Sequence, residues 1–140
     1  MKGEQKNMDC DHACHMIQKL MGVLRQLEVA YGYLIQNAPT EEARRMMELN
    51  LITVRHSMEK LHGMMNEMME HMTPTGETLE ETPVFVNFVD AARYAFVKET
   101  QAIAMANNLI MVTHDCYHAT LHGIIVDHQL NAMRILFILT

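Results

Sequence analysis

The chain is predicted to be mainly α. The expected fold is a long antiparallel helical hairpin forming a dimeric four-helix bundle, followed by a small α+β fragment with two short strands. Three observations carry that expectation. Ile17, Leu20, Leu24, Leu27, Tyr31 and Leu34 are spaced by threes and fours. Met47, Leu51, Val54, Met58, Leu61, Met65, Met68 and Met72 repeat the pattern without a break. Such alternation is a heptad seam, the mark of a helix packed along its length against another. Third, Pro74 and Gly76 end the second run, and the residues beyond them change character.

In chain order, residues 1–8 are polar and read as a frayed start. Asp9 or Asp11 can cap the first helix, Asn37 is a C-terminal residue, and Pro39 forbids continuation. Thr40 is placed to cap the second helix, with Glu41 and Glu42 favoured by the dipole of its first turn. A short link between two long helices makes an antiparallel hairpin. A lone hairpin cannot cover both seams, so a second copy is the expected cover, making a homodimer. The stretch 73–78 marks a boundary, dividing the chain into a hairpin over 1–73 and a second segment over 74–140. In the second segment Asn87 can cap a third helix, from Phe88 to about Ala106, with Asn107 and Asn108 as its stop. Residues 109–113 and 123–126 read as short buried strands on their apolar, β-branched content. Asp127 then caps a last helix over 128–139.

Composition narrows the function classes. With 140 residues, 49% apolar and 20% charged, the chain is globular. A net charge of −6 argues against nucleic acid as a partner. No apolar run approaches 18 residues and no signal peptide is evident, so a cytoplasmic chain without membrane contact is expected. Three cysteines, Cys10, Cys14 and Cys116, do not make a disulfide framework. Fifteen methionines give adaptable seams.

The order of elements resembles the transmitter region of two-component sensor histidine kinases. Asn66-Glu67-Met68-Met69-Glu70 is similar to the family's Asn-Asp-Leu-Leu-Asp run, and Thr82-Pro83-Val84 to Asp90 is similar to its linker. Val126-Asp127 followed by Arg134 to Thr140 is similar to its Asp-led helix. The resemblance implies a hairpin that dimerises and carries a phosphoacceptor histidine, followed by the N-terminal part of an ATPase domain. His15 fits the phosphoacceptor frame, and His12 is the alternative. The family's following acid is replaced by Met16 and its Pro by Leu20. In-line attack on phosphorus would then lack the group that accepts the imidazole proton. The Asn-rich and Gly-rich nucleotide boxes fall beyond Thr140, so neither a nucleotide cofactor nor autonomous kinase activity is expected. The chain reads as a fragment or relic of a protein histidine kinase.

Three function classes follow. One is a dimerisation and signalling module, with a response-regulator receiver domain as a candidate partner. Another is ATP-independent histidine phosphotransfer through His15 or His12. The last is metal binding by His114, His118 and His122, spaced four and four, or by Cys10, Cys14 and His15. No Glu stands beside a His in the zinc-enzyme pattern, and Cys-x-x-x-Cys is not a common zinc spacing, so no metal ligand is assigned.

Overall fold

A computed structural model describes residues 2–68 and 81–140, with side chains in the first helix from His12 onward. It has four helices: α1 (Lys2–Gln36), α2 (Glu41–Met68), α3 (Phe88–Val112) and α4 (His118–Leu139), with a short 3-10 turn over Asp115–Tyr117. Three contacts fix their directions. Cys14 near the start of α1 lies 3.9 Å, sulfur to sulfur, from Met68 at the end of α2, so α1 and α2 run antiparallel. Tyr33 near the end of α1 packs against Phe85 just before α3, with the rings tilted and their centroids 5.3 Å apart. Tyr117, just before α4, donates to Glu67 near the end of α2 at 3.0 Å. The helices therefore run up, down, down, up. α1 packs on α2 and α3, and α4 packs on the same two. The result is a four-helix bundle in which the chain between Met68 and Phe88 joins opposite ends, the single-crossover connectivity.

Local signals account for the helix ends. The Thr40 hydroxyl accepts from the Ala43 N–H at 3.1 Å, satisfying one of the orphan donors of α2. Arg44 reaches Glu41 and Glu48 along one face, and its guanidinium holds the Glu41 carboxyl below the usual range. Asn87 accepts from the Asp90 N–H at 2.8 Å and caps α3. α1 ends at Gln36 before Pro39, but it begins at Lys2 rather than at Asp9 or Asp11.

Both seams are buried. Ile17, Leu20, Leu24, Leu27, Tyr31 and Leu34 are fully enclosed, and burial of such side chains stabilises by roughly 1.5–3 kcal/mol each before entropy is counted. In α2, Met47, Val54, Leu61 and Met65 are buried and Leu51, Met58 and Met68 half-buried; Met72 lies outside the described residues. What covers these seams differs from expectation. The cover is α3 and α4 of the same chain, so the four-helix bundle closes within one molecule and the hairpin needs no second copy.

The predicted α+β fragment is also corrected: among the described residues there is no strand. Residues 109–112 complete the last turn of α3, and residues 123–126 lie inside α4. Asn107 and Asn108 do not stop α3, because both point to solvent, where each costs only a fraction of a kcal/mol. The register Ala91, Ala95, Ala102, Ala106 and Leu109 continues past them, buried throughout. The run from Ile124 to Val126 looked like a strand because it is apolar on consecutive residues. It is instead part of a helix that buries one face and leaves Val126 outside. α4 accordingly starts ten residues before the expected 128. Asp127 is not its cap but lies in mid-helix, 3.9 Å from Lys60 of α2. The boundary signals at 73–78 fall outside the described residues.

Candidate functional site

The bundle centre is not purely apolar. Asn50 and Ser57 of α2, Glu99 of α3, and His128 and Asn131 of α4 are all at most 1% exposed. Tyr31 of α1 joins them, so every helix contributes. Their positions follow from helix geometry. Asn50 and Ser57 stand seven residues apart, two turns along one face of α2, and His128 and Asn131 stand three apart on α4. Glu99 sits between Ala95 and Ala102, and those small neighbours let α1 and α4 approach its carboxylate.

Glu99 is the hub. Its Oε1 accepts from the Tyr31 hydroxyl at 2.5 Å and from Asn131 Nδ2 at 2.9 Å. Its Oε2 lies 2.5 Å from His128 Nδ1. His128 Nε2 lies 2.8 Å from the Ser57 hydroxyl. In the tautomer whose Nδ1 donates to the Glu99 carboxylate, Nε2 is the acceptor for a hydrogen bond from the Ser57 hydroxyl. Asn50 and Asn131 exchange amide-to-backbone hydrogen bonds: Asn50 Nδ2 donates to the Asn131 carbonyl at 3.0 Å, and Asn131 Nδ2 donates to the Asn50 carbonyl at 3.2 Å. Asn50 Nδ2 also reaches the Tyr31 oxygen at 3.3 Å. At the margin, Arg134 Nη1 donates to both Asn side-chain oxygens at 3.2 Å. Burial, and then the neighbouring Glu99 carboxylate, push the Tyr31 phenol well above its ordinary pKa, so it stays a donor.

Ser57, His128 and Glu99 stand in the order nucleophile, base and orienter. The surroundings remove the chemistry. All three are sealed from solvent, and a reacting carbonyl needs a place about 3 Å from the nucleophile. Ser57 lies in mid-helix, where backbone N–H groups serve the helix ladder and cannot form an oxyanion hole. A two-metal bundle core would need a Glu from each of two helices and a Glu-x-x-His from each of the others. This core offers one carboxylate and one imidazole. No three His, Cys, Asp or Glu side chains converge as a metal site among the described residues. The arrangement is a closed hydrogen-bond network that sets how four helices meet.

The residues singled out from sequence lie elsewhere. His15 and His12 are exposed on α1. His15 precedes Tyr31 by sixteen residues, about 24 Å along the axis. Met16 is half-buried and Leu20 is fully buried in the first seam. His114, His118 and His122 do not converge. His114 Nδ1 accepts from the Cys116 N–H at 3.3 Å, and the His118 ring lies 3.2 Å from the Thr113 carbonyl. Cys116 is exposed beside an open groove of about 320 Å³ between the end of α2 and the start of α4. The Cys10 side chain is outside the described ones, and Cys14 is buried against Met68.

No motif in the sequence singles out Asn50, Ser57, Glu99, His128 or Asn131, because they are single polar residues scattered over three helices. Met47, Asn50, Val54, Ser57, Leu61 and Met64 also step by threes and fours. Polar residues sitting in seam register were the available signal. No family model, curated protein or solved structure matches the chain.

Proposed function

We propose that this chain is a helical-bundle module that works by protein association rather than catalysis, the signalling-module reading without its kinase chemistry. One observation carries it: the Ser57–His128–Glu99 set is sealed inside, while large apolar side chains are left outside. Ser57, His128 and Glu99 are at most 1% exposed, whereas Met133 is 64% and Phe137 58% exposed. Groups that do chemistry must meet a substrate, and apolar groups facing water mark contact surfaces. Cross-linking of intact cells that make the protein, followed by mass spectrometry, tests the reading. Cross-links from other chains, or from further copies, should fall beside the exposed apolar positions of α4. Saturable ATP binding by calorimetry, or ester turnover abolished by Ser57→Ala, would refute it.

A second reading has its own observation. The exposed His15 imidazole stands one turn from exposed Lys19 on a long helix, which suits transfer of a phosphoryl group from a docked receiver domain. A neutral imidazole is a competent nucleophile near pH 7. Acid-labile label from a phosphorylated receiver, absent in His15→Ala, would support it, and Met16→Glu should then speed transfer. Label on no histidine would remove this reading.

A further inference from the structure

The outward face of α4 carries its own seam. Ala119, Gly123, Val126, Leu130, Met133 and Phe137 step four, three, four, three, four. The opposite face of the same helix, through Leu121, Ile124, His128 and Ile135, is buried in the bundle. α4 is therefore apolar on two sides, a pattern expected of a helix covered on both. Yet Val126, Leu130, Met133 and Phe137 are 54%, 44%, 64% and 58% exposed.

We propose that a second copy of the chain covers this face, with two α4 helices antiparallel about a twofold axis near residue 128. The argument is self-complementarity of size. In that register Ala119 meets Phe137 of the second copy, Gly123 meets Met133, and Val126 meets Leu130. Each pairing sets a smaller side chain against a larger one, as a twofold interface between identical surfaces requires. Gly123 supports the same register. A Cβ built there meets nothing within 4 Å, so packing inside the molecule does not require glycine, although glycine is unfavourable in a helix interior. Close approach of a second helix gives its small size a use. Asp127 and Arg134 flank the seam, but Asp127 is turned to Lys60 and Arg134 to the Asn50 and Asn131 side chains of its own chain, so neither charge stands in the contact line. A net charge of −6 disfavours an anionic membrane surface as the alternative cover.

The seam spans about 27 Å of helix and, at a helix width of about 10 Å, covers only about 270 Å², well below the roughly 800 Å² per partner of a standard interface. The pairing is therefore of the weak, reversible class and strengthens with salt, which screens repulsion between like-charged copies.

This inference rests on the association reading and narrows it to one partner. Sedimentation equilibrium of the full chain, up to several hundred micromolar, tests it. The mass should rise from 16.1 kDa towards twice that value. Leu130→Lys and Met133→Lys should each abolish the rise while leaving helix content and Tm unchanged, because both side chains already face solvent. Gly123→Met sets Met against Met and should weaken pairing about tenfold, the effect of overpacking. The exchange Gly123→Met with Met133→Gly should restore it to within about threefold, since the summed size is kept. A mass fixed at 16.1 kDa at every concentration overturns the proposal. So does a dimer indifferent to both lysines, a size exchange that fails to restore pairing, or α4-dependent flotation with phosphatidylglycerol vesicles by a chain that stays monomeric. A monomer whose α4 is cross-linked in cells to a different protein would end self-pairing and leave the association reading standing. A monomer with no cross-links on α4 would end both.

Discussion

Glu99→Leu should be among the most damaging single changes in this protein, and the structure gives its size. The substitution removes the acceptor for three buried donors: the Tyr31 hydroxyl, Asn131 Nδ2 and His128 Nδ1. Asn131 keeps the Asn50 carbonyl, but Tyr31 and His128 are left facing a methyl group. A buried donor without a partner costs about 1–3 kcal/mol, more where charge is involved. Removing a carboxylate from the core returns part of its own desolvation cost, leaving a net loss of about 3–5 kcal/mol. Against a typical total of about 5–15 kcal/mol, that takes a large share of stability. Glu99→Gln has a different outcome. Its oxygen can still accept from Tyr31 and Asn131, and its NH₂ group can face His128 if the ring moves its proton to Nε2 and donates to Ser57. Every partner is kept, and the loss falls to about 0.5–1.5 kcal/mol. Urea unfolding followed by circular dichroism at equilibrium separates the two.

The same network predicts a rescue. Tyr31→Phe, Ser57→Ala, Glu99→Leu and His128→Leu together remove each donor along with its acceptor. Asn50 and Asn131 keep their backbone partners on each other's helices. Replacing a whole buried polar set by apolar groups is often neutral or stabilising. The quadruple variant should therefore recover to within about 1–2 kcal/mol of the parent, above Glu99→Leu alone. A cost below about 1 kcal/mol for Glu99→Leu, an equal cost for Gln and Leu, or a quadruple variant no better than Glu99→Leu would refute the reasoning.

Stability should fall at alkaline pH through Tyr31. Its folded pKa is raised by burial and by Glu99, so the unfolded chain loses the proton more easily; the contribution is complete below pH about 10 and lost as pH rises above it. Urea titrations between pH 8 and 11 should show that slope in the parent and a flatter one in Tyr31→Phe. Leu61→Asp should unfold the monomer rather than dissociate a dimer, because Leu61 is fully enclosed within one chain and a buried unpaired charge costs several kcal/mol; a folded variant by circular dichroism would contradict this. In a Cys10→Ser background, Cys116 should react with a thiol reagent at once and Cys14 only on unfolding, since the first is exposed and the second buried; equal rates would be the contrary result.

The parts of the fold legible in the sequence were those whose cause is local. The α1 and α2 seams, the Thr40 and Asn87 caps and the stop before Pro39 depend on residues within a turn or two of each other. What covers a seam is not local. The spacing from Met47 to Met68 is the same whether a second copy or a later helix lies against it. In the folded chain α4 lies against the α2 seam, and α3, with Ala91, Ala92, Ala95, Ala102 and Ala106 buried on its inner side, lies against α1. Those alanines were the available hint, because small residues let helices approach closely. The full length of α4 is hidden in the sequence for a related reason. Helix periodicity is visible when one face is apolar and the other polar, and Leu121 to Phe137 has apolar residues on both. Ile124-Ile125-Val126 then looks extended when taken alone. The ambiguity that hid the helix is the same property that leaves it a second seam, so the segment least legible as structure is the one most informative about association. At the bundle centre, Glu99 and His128 lie 29 residues apart in sequence and become neighbours only once α3 and α4 pair. A polar residue in seam register can announce that a buried network exists, but the Asn50–Asn131 exchange across α2 and α4 takes the assembled bundle to reveal.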